Sequence, residues 1–205
     1  GIGVEAMEAF CHGIVQATQR HAAAFKPNLA FFEQYGAAGW AALERIVAAM
    51  PEDVLVIADA KRGDIGNTAK RYAKAMFEGL GAHAITVAPY MGEDSVAPFM
   101  DGYADRWTIV LALTSNAGAD DFEFHGTPPL YERVVERCQT WGSPDELMFV
   151  VGATRPEQLR AIRRLAPDHF FLVPGVGAQG ARIEDVMEAG WIEGAGGLLI
   201  NASRS

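Results

Sequence analysis

The chain has 205 residues, 50% of them hydrophobic and 21% charged, with a formal net charge of −9, enough apolar material for a substantial core in one domain, residues 1–205. The acidic balance, without a basic patch or arginine-rich arm, argues against nucleic acid as a partner. No apolar run reaches the roughly 18 residues that span a bilayer, and Gly1-Ile-Gly-Val-Glu5 lacks the regions of a signal peptide. Two isolated cysteines, Cys11 and Cys138, fit a reducing cytoplasm. The histidines at 12, 21, 83, 125 and 169 show no metal-ligand spacing, so no metal is expected.

Short apolar runs then alternate with helical patterns. A helical pattern over 5–20 precedes an apolar run over 24–31, and a helix over 36–50 precedes a strand over 54–59. Further on, 68–79, 129–141, 155–165 and 182–189 read as helices. The stretches 84–88, 108–113, 147–151, 170–173 and 197–200 read as strands. The strands are apolar almost throughout, as in strands buried on both faces, and the order implies a parallel sheet with helical crossovers. Thr154-Arg-Pro-Glu157 has the spacing of a capping box with proline in the first turn. Seven strands are one short of a closed (β/α)8 barrel, which typically takes about 250 residues. The economical expectation places the first strand before Gly1 and the last helix after Ser205; an open doubly wound sheet is the alternative.

Polar residues collect at the carboxyl ends of these strands, where α/β folds bind ligands. Lys26 stands in Phe25-Lys26-Pro27-Asn28, among apolar residues, and needs a counter-charge. The next strand runs into Asp59-Ala-Lys61-Arg-Gly-Asp64-Ile65-Gly-Asn-Thr68. Residues two apart share a strand face, so Asp59 and Lys61 are expected side by side, with Asp59 also opposite Lys26. Asp64 lies past the Gly63 bend, free to turn back or outward. Leu113-Thr114-Ser115-Asn116 offers short side chains to a flat heterocycle. Pro174-Gly175-Val-Gly177-Ala-Gln179-Gly180 and the later Ser203-Arg204 offer glycine amides and a guanidinium to a phosphate. The GxGxxG match over 175–180 is a weak dinucleotide signal, since it comes late in the chain and the acid expected about 20 residues on is missing.

Lys26 in its Phe-Lys-Pro-Asn segment, Asp59-x-Lys61-x-x-Asp64-Ile65, Pro174-Gly-Val-Gly-Ala-Gln179 and Ser203-Arg204 together resemble, in order, the motifs of the orotidine 5′-phosphate decarboxylases, in particular their bacterial branch with longer chains. The resemblance implies a TIM barrel, a lyase that converts orotidine 5′-phosphate to UMP and carbon dioxide without a cofactor, and a homodimer with shared active sites. It implies that Lys26, Asp59 and Lys61 act from one subunit, with Lys61 protonating C6, and that Asp64, Ile65 and Thr68 reach the partner's site. Ser115 would bond the pyrimidine, Gln179 would link base and phosphate, Gly177 and Arg204 would hold the 5′-phosphate, and Pro174 would be a further substrate-binding residue. A phosphosugar decarboxylase or aldolase of the same superfamily is the alternative activity, and a truncated barrel that binds nucleotide without turnover is the non-catalytic one.

Overall fold

The structure, a computed structural model, describes residues 3–177 and 179–203. Its strands are β1 (Ala24–Phe25), β2 (Leu55–Arg62), β3 (Ala84–Val87), β4 (Trp107–Leu113), β5 (Leu147–Val151), β6 (Phe171–Pro174) and β7 (Leu198–Asn201). All pair in parallel and in chain order, β1 to β7, as one seven-stranded sheet. The helices are α1 (Val4–Thr18), α2 (Ala30–Glu33), α3 (Gly36–Ala48), α4 (Gly66–Lys74), α5 (Glu93–Val96), α6 (Ala119–Phe122), α7 (Leu130–Cys138), α8 (Pro156–Leu165) and α9 (Ile183–Gly190).

Two separate cores explain why nearly every strand residue is apolar. Ile57, Ala84, Ile109, Met148, Val150 and Leu172 form one buried cluster, with Ala24, Leu111 and Leu199 against it. Their neighbours along the same strands, among them Val56, Ile85, Val110, Phe149 and Phe171, join a second cluster. Helices send Leu43, Ile46, Ala69, Val135, Leu159, Ile162 and Val186 into that second cluster. Alternate side chains point to opposite faces of a strand, so one face lines the interior of a curved wall and the other carries the helices. That is the layering of a barrel, here nearly closed, with β1 and β7 as its two edges.

Three expectations need correction. The strand expected over 24–31 shrinks to two residues because Pro27 lacks an N–H and Asn28 Oδ1 accepts the Ala30 N–H at 3.2 Å, turning the chain into α2. The helix expected from Thr68 already begins at Gly66 and ends in a wider turn, Ala75–Gly79. The capping box at Thr154 does not form. Arg155 precedes α8, no side chain caps the helix, and the Arg155 guanidinium instead pairs with Asp120 at 2.8 Å and lies 4.5 Å over the Phe124 ring. Cys11 and Cys138 are both free thiols.

Candidate active site

Strand parity builds the site. Ala24, Ile57 and Ala84 face the barrel interior, so the residues two positions on, Lys26, Asp59 and Thr86, face the same way at the carboxyl ends of β1, β2 and β3. The bridge between Asn28 and Asp59 keeps β1 and β2 in step. Lys26 Nζ donates to Asp59 Oδ2 at 2.5 Å, and Lys61 Nζ donates to Asp59 Oδ1. Asp59 is only 7% exposed, Lys26 is 15% exposed and Lys61 is 50% exposed. Burial alone raises the Asp59 carboxyl pKa, but the charge and hydrogen bond of Lys26, then those of Lys61, outweigh it and hold the group below its ordinary value. The array is thus an ionised carboxylate with one lysine behind it and one turned toward solvent.

Lys61 meets Asp59 as expected, by an unexpected backbone route. Its φ is +49°, the only positive value outside glycine among the described residues. The pairing of β2 with β3 is irregular between Ala58 and Arg62. The Lys61 N–H donates to Thr86 Oγ1 at 2.9 Å, and that hydroxyl donates in turn to Asp59 Oδ1 at 3.2 Å. Next along the chain, Arg62 pairs with Glu33 and lies 5.3 Å over the Tyr72 ring, tying the strand end to α2 and α4.

Asp64, Ile65 and Thr68 do not join this array within the chain. Asp64 Oδ1 accepts the Ile65 N–H at 2.8 Å, and among the described residues Asp64 enters no ion pair. Ile65 is 52% exposed and Thr68 is exposed on α4. A cavity of about 390 Å³ lined by Ile65, Gly66, Glu93, Asp94, Ala97, Pro98 and Asp101 borders this loop, and none of Lys26, Asp59 or Lys61 lines it.

The other predicted residues lie at the ends of β4 and β6. Glu123 Oε2 accepts the Thr114 N–H and Oε1 accepts the Thr114 hydroxyl, both at 2.7 Å. Ser115 follows, half-buried, and packs on Gly152 so closely that a Cβ there would stand 3.0–3.1 Å from its N, Cα and Cβ. After Pro174, the loop turns through Gly175, Gly177 and Gly180, all at positive φ. The Gly177 N–H donates to Ala181 O at 3.0 Å, and the exposed Gln179 sets its Oε1 where a Gly175 Cβ would come within 2.7 Å. Arg204, the expected phosphate clamp, lies outside the described residues.

Sequence reading missed Thr86, Glu123 and Gly152. Thr86 carried a usable signal, since it lies two residues after the inward Ala84 on the strand beside Asp59. Glu123 and Gly152 carried none: Glu123 reaches back nine residues to the Thr114 main chain and hydroxyl, and Gly152 packs on Ser115 from the end of the next strand. Among the described residues no three His, Cys, Asp or Glu side chains converge so as to hold a metal ion.

With this geometry in place, relatives are informative. A family model described as orotidine 5′-phosphate decarboxylase / HUMPS matches residues 1–205. The chain is 50% identical over 201 residues to an orotidine 5′-phosphate decarboxylase of Christiangramia forsetii, covering 96% of this chain and 73% of that one. It is 50% identical over 203 residues to the Porphyromonas gingivalis enzyme of the same name, again over 96% and 73%. The solved OMP decarboxylase of Leishmania donovani superposes with a TM-score of 0.93 at 43% identity, covering 100% of this chain and 80% of that chain.

Proposed function

This chain belongs to the orotidine 5′-phosphate decarboxylase / HUMPS family, and we propose that residues 1–205 act as one domain that exchanges the C6 carboxylate of orotidine 5′-phosphate for hydrogen, giving UMP and carbon dioxide. The observation that carries the chemistry is the Lys26–Asp59–Lys61 array, in which a buried carboxylate fixes a half-exposed ammonium at the mouth of the barrel.

The C6–carboxylate bond breaks with its electron pair left on C6, and carbon dioxide departs. The Lys61 ammonium stabilises that pair as it develops and then gives C6 its proton; solvent returns one to the amine. Stabilisation works here because it is pre-organised, with Asp59 holding Lys61 in place before substrate arrives. Asp59 also crowds the departing carboxylate, a smaller contribution than carbanion stabilisation. Lys26 keeps Asp59 ionised. Ser115 contacts the pyrimidine, Gln179 spans base and phosphate, and Pro174, Gly177 and Arg204 line the phosphate end, where remote binding energy lowers the barrier at C6. The donor set at C6 holds ammonium and carboxylate groups, and the proposed steps use only these.

Asp64, Ile65 and Thr68 belong, in this reading, to the site of a second copy. Supporting it, Asp64 takes its hydrogen bond from the Ile65 N–H and not from its own array, and Ile65, Met91 and Tyr90 stay exposed, with the Met91 side chain beside Gly63. Among the described residues no helix is long and apolar enough to cross a membrane; action in the cytoplasm is part of the proposal.

One mixing experiment tests the roles and the sharing together. Lys61→Ala and Asp64→Ala should each be inactive when the loss of orotidine 5′-phosphate absorbance is followed with EDTA present. Equal parts, refolded together, should regain about one quarter of wild-type activity, because half the dimers are mixed and each holds one intact site. Turnover by Lys61→Ala alone removes the proton donor; failure of the mixture to recover removes the shared site; conversion that stops with EDTA removes the metal-free scheme.

A further inference from the structure

Thr86 is absent from the set of residues that the motifs single out, yet its hydroxyl sits at the junction of the array. The side chain is 1% exposed. Its Oγ1 accepts the Lys61 N–H at 2.9 Å and donates to Asp59 Oδ1 at 3.2 Å. One hydroxyl has one proton and two lone pairs, so both bonds coexist, and their direction is forced because the amide can only donate and the carboxylate can only accept. We propose that Thr86 is a positioning residue for the decarboxylation, its hydroxyl locking the left-handed Lys61 backbone to the Asp59 carboxylate so that the ammonium is aimed before substrate binds.

Three observations converge on this reading. Lys61 holds a φ of +49°, which an L-residue adopts only where its surroundings over-determine it. At that residue the β2–β3 ladder is broken, and the amide that would have entered the ladder is taken by the Thr86 hydroxyl instead. Asp59 is then held from three directions, by Lys26 just past the end of β1, by Lys61 of β2 and by Thr86 of β3, so both carboxylate oxygens are engaged. Cross-strand bonds from a single hydroxyl are ordinary in sheets. This one bonds a catalytic lysine's main chain and that lysine's partner carboxylate at once.

The inference rests on the reading of Lys61 as proton donor, and its test separates the two. Thr86→Val keeps the shape and the β-branch and removes both bonds; Thr86→Ser restores both. Thr86→Val should lose about 10- to 100-fold in kcat, the range seen when a partner that orients a metal-binding side chain is lost, with KM for orotidine 5′-phosphate within about threefold. Thr86→Ser should recover to within about threefold of wild type. The acid limb of kcat/KM should move to higher pH in Thr86→Val, because Asp59 loses a donor to its charged form while Lys26 and Lys61 remain. Independently of turnover, hydrogen exchange at the Lys61 amide should speed up in Thr86→Val and not in Thr86→Ser. Unchanged exchange, unchanged kcat, or equal losses in Val and Ser with an unmoved acid limb would each overturn the proposal. Turnover by Lys61→Ala would instead remove the lysine's role and leave the exchange result standing as a backbone bond without catalytic purpose.

Discussion

Asp59 shows how much one residue can decide. Asp59 and Lys26 are largely shut off from water while Lys61 is half exposed, and an unpaired buried charge costs several kcal/mol. The folded carboxyl titrates below its ordinary 3.8, so the stability it contributes is present above pH 3.8 and is lost as pH falls through the lower folded value. Asp59→Asn should therefore unfold at lower urea than wild type at pH 7, by about 3 kcal/mol, since Lys26 is left without its anion. The gap should narrow below pH 3.8, where wild type loses the same charge. A gap that stays constant from pH 7 to pH 3 would contradict the pairing. The Asp59–Lys61 contact was legible in the sequence as a pair two apart, although the structure makes it through a left-handed break in the strand and not through strand parity. The left-handed φ of Lys61 was not, because nothing about a lysine in Ala-Lys-Arg announces it. Thr86 was readable by the same strand parity that sets Lys26 and Asp59 inward, two residues past the inward Ala84, and was passed over because threonine is an ordinary strand former.

At the scale of elements, the strand ends hold each other in place through main-chain contacts. The β4 end is gripped by the Glu123 carboxylate at Thr114 and packed on Gly152, the residue after β5, at Ser115. A methyl group on Gly152 would stand 3.0–3.1 Å from the Ser115 N, Cα and Cβ, so the Ser115 main chain must give by a few tenths of an ångström to admit it. Gly152→Ala should cost about 1–3 kcal/mol as overpacking and push the Ser115 segment outward. If Ser115 contacts the base, UMP affinity should fall about tenfold while ribose 5-phosphate, which lacks the base, binds as before. Isothermal titration of both ligands distinguishes this from a general loss of the site. Strand and helix order was readable because period and composition repeat along the chain. The end of β1 was misread because Phe25-Lys26-Pro27-Asn28 is locally consistent with an extended run, whereas Pro27 lacks an N–H and Asn28 Oδ1 accepts the Ala30 N–H, which turns the chain. The failed cap at Thr154 has a similar origin: Arg155 finds Asp120 and Phe124 on another element, and tertiary partners override the local motif.

The whole barrel separates chemistry from support at its two ends. Opposite the lysine array, at the amino end of β6, Arg163 Nε donates to Gly190 O at 2.8 Å, while its terminal nitrogens reach His169 O at 2.6 Å and Gly197 O at 2.9 Å. Its guanidinium lies 3.7 Å over the Phe171 ring, and burial, opposed by the charge of Asp168, brings its pKa down to about 10. This one side chain joins the end of α8 to the end of α9 and to the starts of β6 and β7. Beside it His169 is 4% exposed, its ring 5.3 Å from that of Phe149, with neither ring nitrogen bonded among the described residues. Burial lowers the His169 pKa, the charge of Asp168 opposes this and that of Arg163 adds to it. The folded protein thus keeps His169 neutral where the unfolded chain would protonate it, so its contribution is whole above the ordinary value of 6.5 and is lost as pH falls through the folded value. His83 works in the same direction, its pKa lowered by burial and by Arg106 while its Nδ1 accepts the Val56 N–H at 3.0 Å. Urea unfolding should show stability falling below pH 6.5 with a slope of up to about 1.4 kcal/mol per pH unit for each such histidine. His169→Phe, which keeps the ring against Phe149, should remove one histidine's share of that slope and leave kcat at pH 7.5 unchanged, because no residue of the array touches this end. An undiminished slope would place the acid sensitivity on His83 and the carboxylates instead, and a fall in kcat would show that the two ends of the barrel are mechanically joined.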